Sequence, residues 1–444
     1  MQTICANATK PGGAVCVIRV SGNNAIGITN RMFRSARNKD LTLMSGYTVH
    51  LGEIVDVDGT VIDEVLVIVY CAPRSYTGEE ATEIMCHGSA YIVQHIIEML
   101  IAQGCRMARP GEFTERAFMN GKMDLSQAEA VADLIAASNA ASHRLAMSQM
   151  RGGFSKELKR LRNQLLEITS LLELEIDFSE EDVEFADRQQ LLTLAGDIHR
   201  VIERLIHSFR IGNAIKNGIP VAIIGPTNAG KSTLLNALLH DDRAIVSDIH
   251  GTTRDSIEDT INIQGITFRF IDTAGIRQSD DKIERIGIER SWKKAQEAEI
   301  VLVMTDKPDI DIDLTPLAGK HIIKVYNKAD IVDYPTLQDT PDSIIISAKH
   351  GTNINRLEQM LVDAANIHNV EDSDIIVTNA RHVEALRQAF EAITKVEQQL
   401  TDRISGDIIS LDLHACIDAL AEIVGDVTSE DTLHNIFRNF CVGK

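Results

Sequence analysis

The sequence predicts a multidomain α/β protein. An α+β domain comes first, and a domain with a mostly parallel, doubly wound sheet interrupts an α-helical bundle. With 444 residues the chain is too long for a single hydrophobic core. Residues 1–118 alternate short β-rich runs with turns, and long helical patterns then stand on both sides of a segment of alternating strands and helices. The predicted domain boundaries are 1–118, 119–217, 218–370 and 371–444.

In the first domain, strands are expected at 14–20, 48–55 and 61–70. The helices that follow are predicted from apolar residues three and four positions apart, which line one face of each helix. The three stripes are Leu158, Leu161, Leu165, Ile168 and Leu172; Leu194, Ile198, Val201, Leu205 and Phe209; and Val383, Leu386, Phe390, Ile393, Val396 and Leu400.

The chain is acidic, with a formal net charge of −20. A uniformly acidic surface repels phosphate, so a nucleic acid partner would need a local basic patch or a second protein.

No apolar run reaches the length that spans a bilayer, and residues 1–10 lack a signal-peptide pattern, so a cytoplasmic protein is expected. The seven cysteines include no Cys-x-x-Cys pair, which argues against a disulfide framework and a zinc knuckle.

A phosphate-binding loop follows the first strand of the interrupting segment. The apolar run 219–224 predicts a buried strand, and residues 225–232 then read Gly-Pro-Thr-Asn-Ala-Gly-Lys-Ser. This is the full P-loop pattern, in which glycines allow backbone N–H groups to point at phosphate oxygens. Lys231 is expected to contact the β- and γ-phosphates, and the Ser232 hydroxyl to bind Mg²⁺.

A second phosphate motif, Asp-Thr-Ala-Gly at 272–275, follows a strand predicted at 267–271. The Asp272 carboxylate can hold Mg²⁺ through water, and the N–H of Gly275 can meet the γ-phosphate.

Two further motifs identify the base. Asn-Lys-Ala-Asp at 327–330 follows a strand predicted at 321–326, and the Asp330 carboxylate can accept from both donors of guanine. Adenine would leave that charge unpaired, so it is rejected. Ser-Ala-Lys at 347–349 follows a strand predicted at 343–346 and is expected to support the base. Four ordered motifs at strand ends predict a Ras-like P-loop G domain that binds and hydrolyses GTP.

The switch region departs from the Ras pattern. Gly-Thr-Thr-Arg-Asp at 251–255 stands where a switch loop belongs, and Thr253 is the expected second hydroxyl ligand of Mg²⁺. Many Ras-like GTPases orient the attacking water with a glutamine, but Ile276 occupies that position here. Spacing alone leaves three nearby carboxylates as substitutes: Asp280, Asp281 and Glu284.

Several of these segments resemble the MnmE (TrmE) family of tRNA-modification GTPases, in the TrmE–Era–EngA class of P-loop GTPases. The resemblance covers the whole chain. It rests on the segments 76–79, 87–88, 110–118, 122–130, 251–255, 283–290 and 441–444. Two departures, Val442 in the Cys-Val-Gly-Lys tail and Pro226-Thr227 in the P-loop, preserve shape or contribute backbone only.

The resemblance implies an architecture and a reaction. The N-terminal domain would bind folate and form a homodimer, the helical domain would be split, and the G domain would be inserted. With an FAD-containing MnmG (GidA) partner in a heterotetramer, such proteins place an aminomethyl or carboxymethylaminomethyl group on C5 of the wobble uridine, position 34, of certain tRNAs. A 5,10-methylene- or 5-formyl-tetrahydrofolate is the implied folate.

The resemblance also assigns residues. It implies K⁺ ligands at Asn228, Ser247, Ile249 and Thr252, and it selects Glu284 as the carboxylate that positions water. The catalytic set is therefore Lys231, Thr252, Thr253 and Glu284, and the folate set is Arg19, Glu83, Lys122 and Lys444. The motifs and the resemblance together place the GTP contacts at Asn228, Ala229, Gly230, Lys231, Ser232, Thr233, Ser247, Asp248, Ile249, His250, Gly251, Thr252, Thr253, Asp272, Thr273, Ala274, Gly275, Asn327, Lys328, Asp330, Ser347, Ala348 and Lys349.

Alternatives stay open at this point. Cys441 is either a nucleophile toward C6 of uridine or a buried tail residue. Arg19 and Lys122, taken singly, could be members of surface salt bridges. The whole chain could also be a ribosome-assembly switch that modifies nothing, although the acidic helices after residue 370 do not look like an RNA-binding module.

Overall fold

The computed structural model describes residues 2–10, 12–35, 39–177, 188–240, 259–271, 293, 295–308, 313–334, 338–365, 375–438 and 440–443. The chain divides into two compact units. One unit consists of Met1–Ile135, Ser148–Ile198 and Glu391–Lys444, and the other of Ala136–Met147 and His199–Phe390. The predicted domain boundaries stay a prediction.

Strands and helices are numbered separately in chain order. The strands are β1 Ile4–Asn7, β2 Val15–Ser21, β3 Phe33–Ser35, β4 Thr48–Val55, β5 Val61–Tyr70, β6 Ala81–His87, β7 Arg106–Met107, β8 Ile219–Ile224, β9 Asp259–Ile263, β10 Ile266–Phe270, β11 Ile300–Thr305, β12 His321–Tyr326 and β13 Ser343–Ile345. The helices are α1 Ala25–Met32, α2 Ala90–Ala102, α3 Glu112–Met119, α4 Leu125–Ala136, α5 Ala140–Met150, α6 Gly153–Asp177, α7 Arg188–Asn217, α8 Lys231–His240, α9 Ile354–Ala365, α10 Ala380–Thr401, α11 Gly406–Val424 and α12 Glu430–Arg438. Within the described ranges, no helix combines the length and the apolar character that crossing a membrane requires.

The first sheet has seven strands in the order β3-β4-β5-β6-β2-β1-β7, and only the β1–β7 pair is parallel. Its two faces differ. Along β5, Val65, Val67 and Val69 are buried, whereas Val61 and Leu66 are exposed. Helices α1 and α2 pack on the buried face, and on β4 and β5 the side chains of the opposite face are half-buried or exposed. The strands predicted at 48–55 and 61–70 are confirmed, and the strand predicted at 14–20 begins one residue later.

A buried ionic network joins this sheet to α3. Arg116 donates to Glu79 Oε2 at 3.0 Å and to Glu112 Oε1 at 3.0 Å, and all three side chains are less than a tenth exposed. The Ser21 hydroxyl, at the end of β2, donates to Glu79 at 2.8 Å. Arg106 donates from Nη1 to Glu112 at 2.8 Å. Because buried charges are stable only when paired, these contacts fix α3 against the sheet.

The helical segments are amphipathic, as predicted. All residues of the first predicted stripe are buried on α6, which packs against α11. On α10 the third stripe is buried apart from the half-buried Phe390. On α7 the buried line is shifted, and only Ile198 and Leu205 of the predicted set belong to it. The line consists of Leu191, Ala195, Ile198, Ile202 and Leu205.

The second sheet has the strand order β13-β12-β11-β8-β10-β9, and every neighbouring pair is parallel except β10–β9. Apolar side chains fill the space between the sheet and α8 and α9, among them Phe268, Leu235 and Leu357. A mostly parallel sheet with β8 and β11 at its centre carries its loops at the carboxyl edge. The predicted fold class is therefore confirmed.

The charge of Glu112 makes the first network pH-dependent. Burial alone raises the pKa of Glu112, but hydrogen bonds from Arg106, Arg109 and Arg116 outweigh it and lower the pKa to about 2. Since an unfolded glutamate titrates near about 4.3, the ionised carboxylate stabilises the fold above that pH. This contribution is lost as the pH falls toward the folded pKa.

We expect Glu112→Gln to lower the free energy of unfolding at pH 7 by about 3 kcal/mol, because it leaves buried arginine charge without its partner. Urea unfolding measured from pH 7 to pH 2.5 should also show a shallower acid loss than the wild type. Glu115→Gln is the matched control, since Glu115 lies on α3 with Glu112 but pairs with the exposed side chain of Arg109. Equal losses for the two variants would contradict this account.

Candidate functional site: the carboxyl edge of the parallel sheet

Three loops meet at one edge of the second sheet. They follow β8, β12 and β13, and each begins where its parallel strand ends. The edge is held by backbone bonds, because the N–H of Asn327 donates to Thr305 O at 2.8 Å and that of Ile346 to Tyr326 O at 2.8 Å. In doubly wound sheets this edge is where ligands bind.

Two glycines shape the loop after β8. A Cβ on Gly225 would lie 2.0 Å from the carbonyl oxygen of Met304, and one on Gly230 would lie 2.3 Å from Nδ2 of Asn327. Both residues have positive φ, at 152° and 97°, as does Asn228 at 66°. A side chain at either glycine would collide with the backbone of β11 or with the Asn327 amide, so the local geometry requires glycine at both positions.

Lys231 begins α8 and turns back over this loop. Its Nζ donates to the carbonyl oxygens of Gly225 and Pro226, each at 2.8 Å. Burial lowers the pKa of Lys231. Ser232 and Thr233 follow in the first helical turn, and Ala229 is buried beneath the loop. A positive charge therefore lies over a loop whose N–H groups lead into a helix N-terminus, an arrangement suited to phosphate.

Asn327 joins the three loops. Its Nδ2 donates to Ala229 O at 2.8 Å, and its Oδ1 accepts from the N–H of Ala348 at 3.0 Å. The side chain is buried, at 3% exposure. The hydroxyl of Tyr334 donates to the carbonyl oxygen of Asn327 at 2.5 Å. Burial raises the pKa of Tyr334 to about 12, so this hydroxyl keeps its proton.

Asp330 presents its carboxylate at the same edge. The hydroxyl of Ser347 donates to Oδ1 at 2.6 Å, and Nε2 of His350 lies 3.6 Å from Oδ2. The bond from Ser347 lowers the pKa of Asp330, so the carboxylate is ionised and acts as an acceptor. Lys328, with φ at 65°, donates from Nζ to Asp306 at 2.7 Å. Lys349 is exposed next to this group.

Sequence reasoning missed two members of this site. Tyr334 lies beyond the 327–330 motif and acts through the carbonyl oxygen of Asn327, while Asp306 follows β11 and pairs with Lys328. Neither belongs to a nucleotide-binding pattern. Nothing in the segment 327–334 distinguishes Tyr334 from an ordinary loop residue. Ser347 was expected to support the base, and its hydroxyl in addition holds Asp330.

The structure thus brings together the predicted residues that follow β8, β12 and β13. The other predicted residues of this site lie outside the described residues. They are Ser247, Asp248, Ile249, His250, Gly251, Thr252, Thr253, Asp272, Thr273, Ala274, Gly275 and Glu284. Among the described residues, no group of three His, Cys, Asp or Glu side chains could hold a metal ion.

A second group of predicted residues lies on the first sheet. Arg19 on β2 and Glu83 on β6 are direct partners across the two strands, with Nε donating to Oε1 at 2.9 Å. The guanidinium lies 5.5 Å from the ring centre of Tyr76, and the Tyr70 hydroxyl donates to Glu83 at 3.1 Å. About a fifth of each charged side chain is exposed. The salt-bridge interpretation is therefore correct for Arg19, and the pair still faces solvent.

The C-terminal tail reaches this pair. Arg19 donates from Nη1 to the carbonyl oxygen of Gly443 at 3.4 Å. The N–H of Gly111 donates to the carbonyl oxygen of Cys441 at 3.4 Å. Gly443 has φ at 95°, and a Cβ there would lie 2.2 Å from Asn7 O, so only glycine fits. Cys441 is exposed, so of its two alternatives the buried tail residue is wrong.

Lys122 and Lys444 complete the predicted folate set. Nζ of Lys122 donates to the carbonyl oxygen of Pro73 at 3.1 Å, a backbone contact rather than an ion pair. Its stem lies beside Gly78, where a Cβ would be 3.4 Å from two of its carbons. Lys444 lies outside the described residues.

Comparison with known proteins gives matches that extend along the whole chain. The family model described as MnmE helical domain matches residues 125–441, and that described as GTP-binding protein TrmE N-terminus matches residues 3–122. The chain is 57% identical to the tRNA modification GTPase MnmE of Bacteroides thetaiotaomicron, over 100% of this chain and 99% of that protein. It is 49% identical to the protein of that name from Flavobacterium johnsoniae, with the same coverage.

Two solved structures resemble part of the chain. Era in complex with MgGDPNP and a segment of 16S ribosomal RNA is 27% identical over 39% of this chain and 66% of that chain, with a TM-score of 0.24. The G domain of the T. maritima FeoB iron transporter is 19% identical over 33% of this chain and 98% of that chain, with a TM-score of 0.25.

The carboxylate of Asp330 should decide which base is bound. Asp330→Asn replaces one acceptor by an amide donor, so affinity for GTP should fall by about 100-fold and affinity for xanthosine triphosphate should rise. Equilibrium binding of fluorescent analogues of both nucleotides measures this exchange. Asp333→Asn, at an exposed position three residues on, is the matched control. A loss of binding to both nucleotides would contradict base selection by Asp330.

Proposed function

This chain belongs to the MnmE family of tRNA modification GTPases, and on that premise we propose that it hydrolyses GTP to drive modification of the tRNA wobble uridine. The group added would be aminomethyl or carboxymethylaminomethyl at C5 of uridine 34. A folate would donate the one-carbon unit, and an MnmG-type partner that carries FAD would take part. The observation that carries the proposal is the match over the full chain, which includes the N-terminal and helical segments as well as the GTPase domain.

The GTP part of the proposal uses the edge of the parallel sheet. On binding, Lys231 would exchange the carbonyl oxygens of Gly225 and Pro226 for the β- and γ-phosphates. Asp330 would accept from the N1–H and the exocyclic amine of guanine. Ser232 and Thr253 would hold Mg²⁺, whose charge stabilises the phosphates when it is bound. The glycines at 225 and 230 let the loop before α8 pack closely against Met304 and Asn327, and a loop that leads into a helix N-terminus suits a phosphate group.

Water activation would come from Glu284, because Ile276 cannot orient a water molecule. Its carboxylate would accept a hydrogen bond from the attacking water, with Thr252 and Thr253 in the adjacent switch. K⁺ would be held by Asn228, Ser247, Ile249 and Thr252, and it would supply positive charge near the bridging oxygen. The exposed Asn228, at the outer side of the phosphate loop, is the one described member of this set.

Folate would bind on the first sheet. Glu83 is partly exposed and offers an acceptor to the amide–amine edge of a pterin, while Arg19, Lys122 and Lys444 offer cations to the carboxylates of a glutamate tail. The tail position supports this assignment, because Arg19 already contacts Gly443, the residue before Lys444. Cys441 is accessible, so a nucleophilic role remains part of the proposal.

A homodimer is proposed through the face of the first sheet that lies opposite α1 and α2. Val49, Leu51 and Leu66 on β4 and β5 are exposed at 57%, 51% and 39%. A second copy of the chain would cover this apolar surface, whose exposure to water is unfavourable.

Because the reaction acts on tRNA, we place the protein in the cytoplasm. The four predicted domains are retained as part of this proposal.

The overall function is tested in cells that lack the gene. We expect tRNA from such cells to lose the C5-substituted wobble uridine, measured by mass spectrometry of digested nucleosides. Reintroducing the wild-type gene should restore the nucleoside, whereas Lys231→Ala should fail because it cannot bind the phosphates. Unchanged wobble uridines in the deletion strain would refute the modification function.

Potassium should control hydrolysis. We expect GTP turnover by the purified chain to be at least about tenfold faster in K⁺ than in Na⁺, since only K⁺ fits the proposed ligand set. Glu284→Ala should bind GTP normally and hydrolyse it slowly in both salts. Phosphate release at matched ionic strength is the measurement. Equal wild-type rates in the two salts would exclude the potassium mechanism.

A further inference from the structure

A basic segment stands out in this acidic chain. Residues 144–162 contain six Lys or Arg residues and a single acidic residue, Glu157, although the whole chain carries a net charge of −20. Most of this segment forms the first turns of α6 and the residues just before it. None of these cations belongs to the nucleotide or folate groups described above.

The cations fall into two classes. Two arginines are neutralised locally: Arg160 by Glu157, with Nη2 to Oε1 at 2.7 Å, and Arg162 by Asp426 at 2.6 Å. Arg144 belongs to the unit that contains Ala136–Met147. The remaining three, Arg151, Lys156 and Lys159, are exposed and form no ion pair with any described residue. We call these three residues the basic face.

Helix stability does not explain the basic face. Lys156 and Lys159 lie in the first two turns of α6, where the helix dipole favours acidic side chains and disfavours cations. The one acidic residue in these turns, Glu157, pairs with Arg160 and not with either lysine. The helix therefore gives Lys156 and Lys159 no favourable local interaction, and both side chains are exposed.

We infer that the basic face binds the phosphate backbone of tRNA, an inference that rests on the proposed function. The exposed positions of these turns are Lys156, Lys159, Arg160 and Asn163, and none of them is aromatic. A protein partner would favour an apolar or aromatic centre and few lysines. Flexible, unpaired ammonium groups fit phosphates, which they position without reading sequence. The face also supplies the local positive charge that RNA needs on an acidic protein.

The test compares two double charge reversals in the full-length chain. Lys156→Glu/Lys159→Glu reverses two of the three charges of the basic face, and Lys10→Glu/Lys39→Glu makes the same change in net charge at exposed lysines elsewhere in the same unit. The probe is fluorescently labelled tRNA isolated from the deletion strain, titrated at several NaCl concentrations. GTP hydrolysis of each variant is measured in parallel to establish that the G domain is intact.

We expect the first variant to bind tRNA at least tenfold more weakly near 0.1 M salt, since each lost phosphate contact costs about eightfold there. The slope of log affinity against log salt should fall in magnitude by about 1.8, and the control and the GTPase rates should stay near the wild type.

Three outcomes overturn the inference: unchanged tRNA affinity, an equal loss in the control, or no salt-dependent binding by the wild type. Unchanged tRNA affinity with loss of binding to the flavoprotein partner would assign the face to a protein instead. The proposed function fails separately, if the deletion strain retains its modified nucleoside.

Discussion

The nucleotide site depends on the side chain of Asn327. This one buried amide donates to the loop after β8 and accepts from the loop after β13, and its own backbone continues β12. Phosphate binding and base binding are therefore parts of one hydrogen-bonded unit. Removing the amide would leave a buried carbonyl oxygen at Ala229 and a buried N–H at Ala348 unpaired, at about 1–3 kcal/mol each. Gly230 has no space for a Cβ because this amide occupies it.

On the first sheet, buried charged side chains stabilise the fold, as the buried Asn327 amide does at the nucleotide site. Glu79 and Glu112 hold Arg116 in the interior, and the strand-to-strand pair of Arg19 and Glu83 lies at the surface. The buried pairs fix α3, and the partly exposed pair leaves both charges accessible to the folate proposed above. Ion pairs that look alike in sequence therefore differ in how accessible they are to a ligand.

The elements of the G domain were predictable because local patterns specify them. Apolar runs bounded by polar loops gave β8 and β12 to the residue, and the motifs followed from their positions after strands. Contacts between distant residues were not predictable, since nothing local links Arg116 to Glu79 or Tyr334 to Asn327. The shifted stripe on α7 has a related cause. That helix carries apolar residues on two adjacent lines, and only packing decides which one is buried.

Lys231 links the geometry of the phosphate loop to the kind of ligand that the loop can bind. In the structure its ammonium is bound by two carbonyl oxygens of its own loop, so a nucleotide must replace two hydrogen bonds before it gains any. Burial, which lowers the pKa of this lysine, makes an unpaired ammonium costly there. A ligand with several negative oxygens can accept from the ammonium in place of those carbonyl oxygens and balance its charge. The glycines at 225 and 230 let the loop lie against Met304 and Asn327, and Asp330, held by Ser347, presents at the same edge the acceptor that suits guanine.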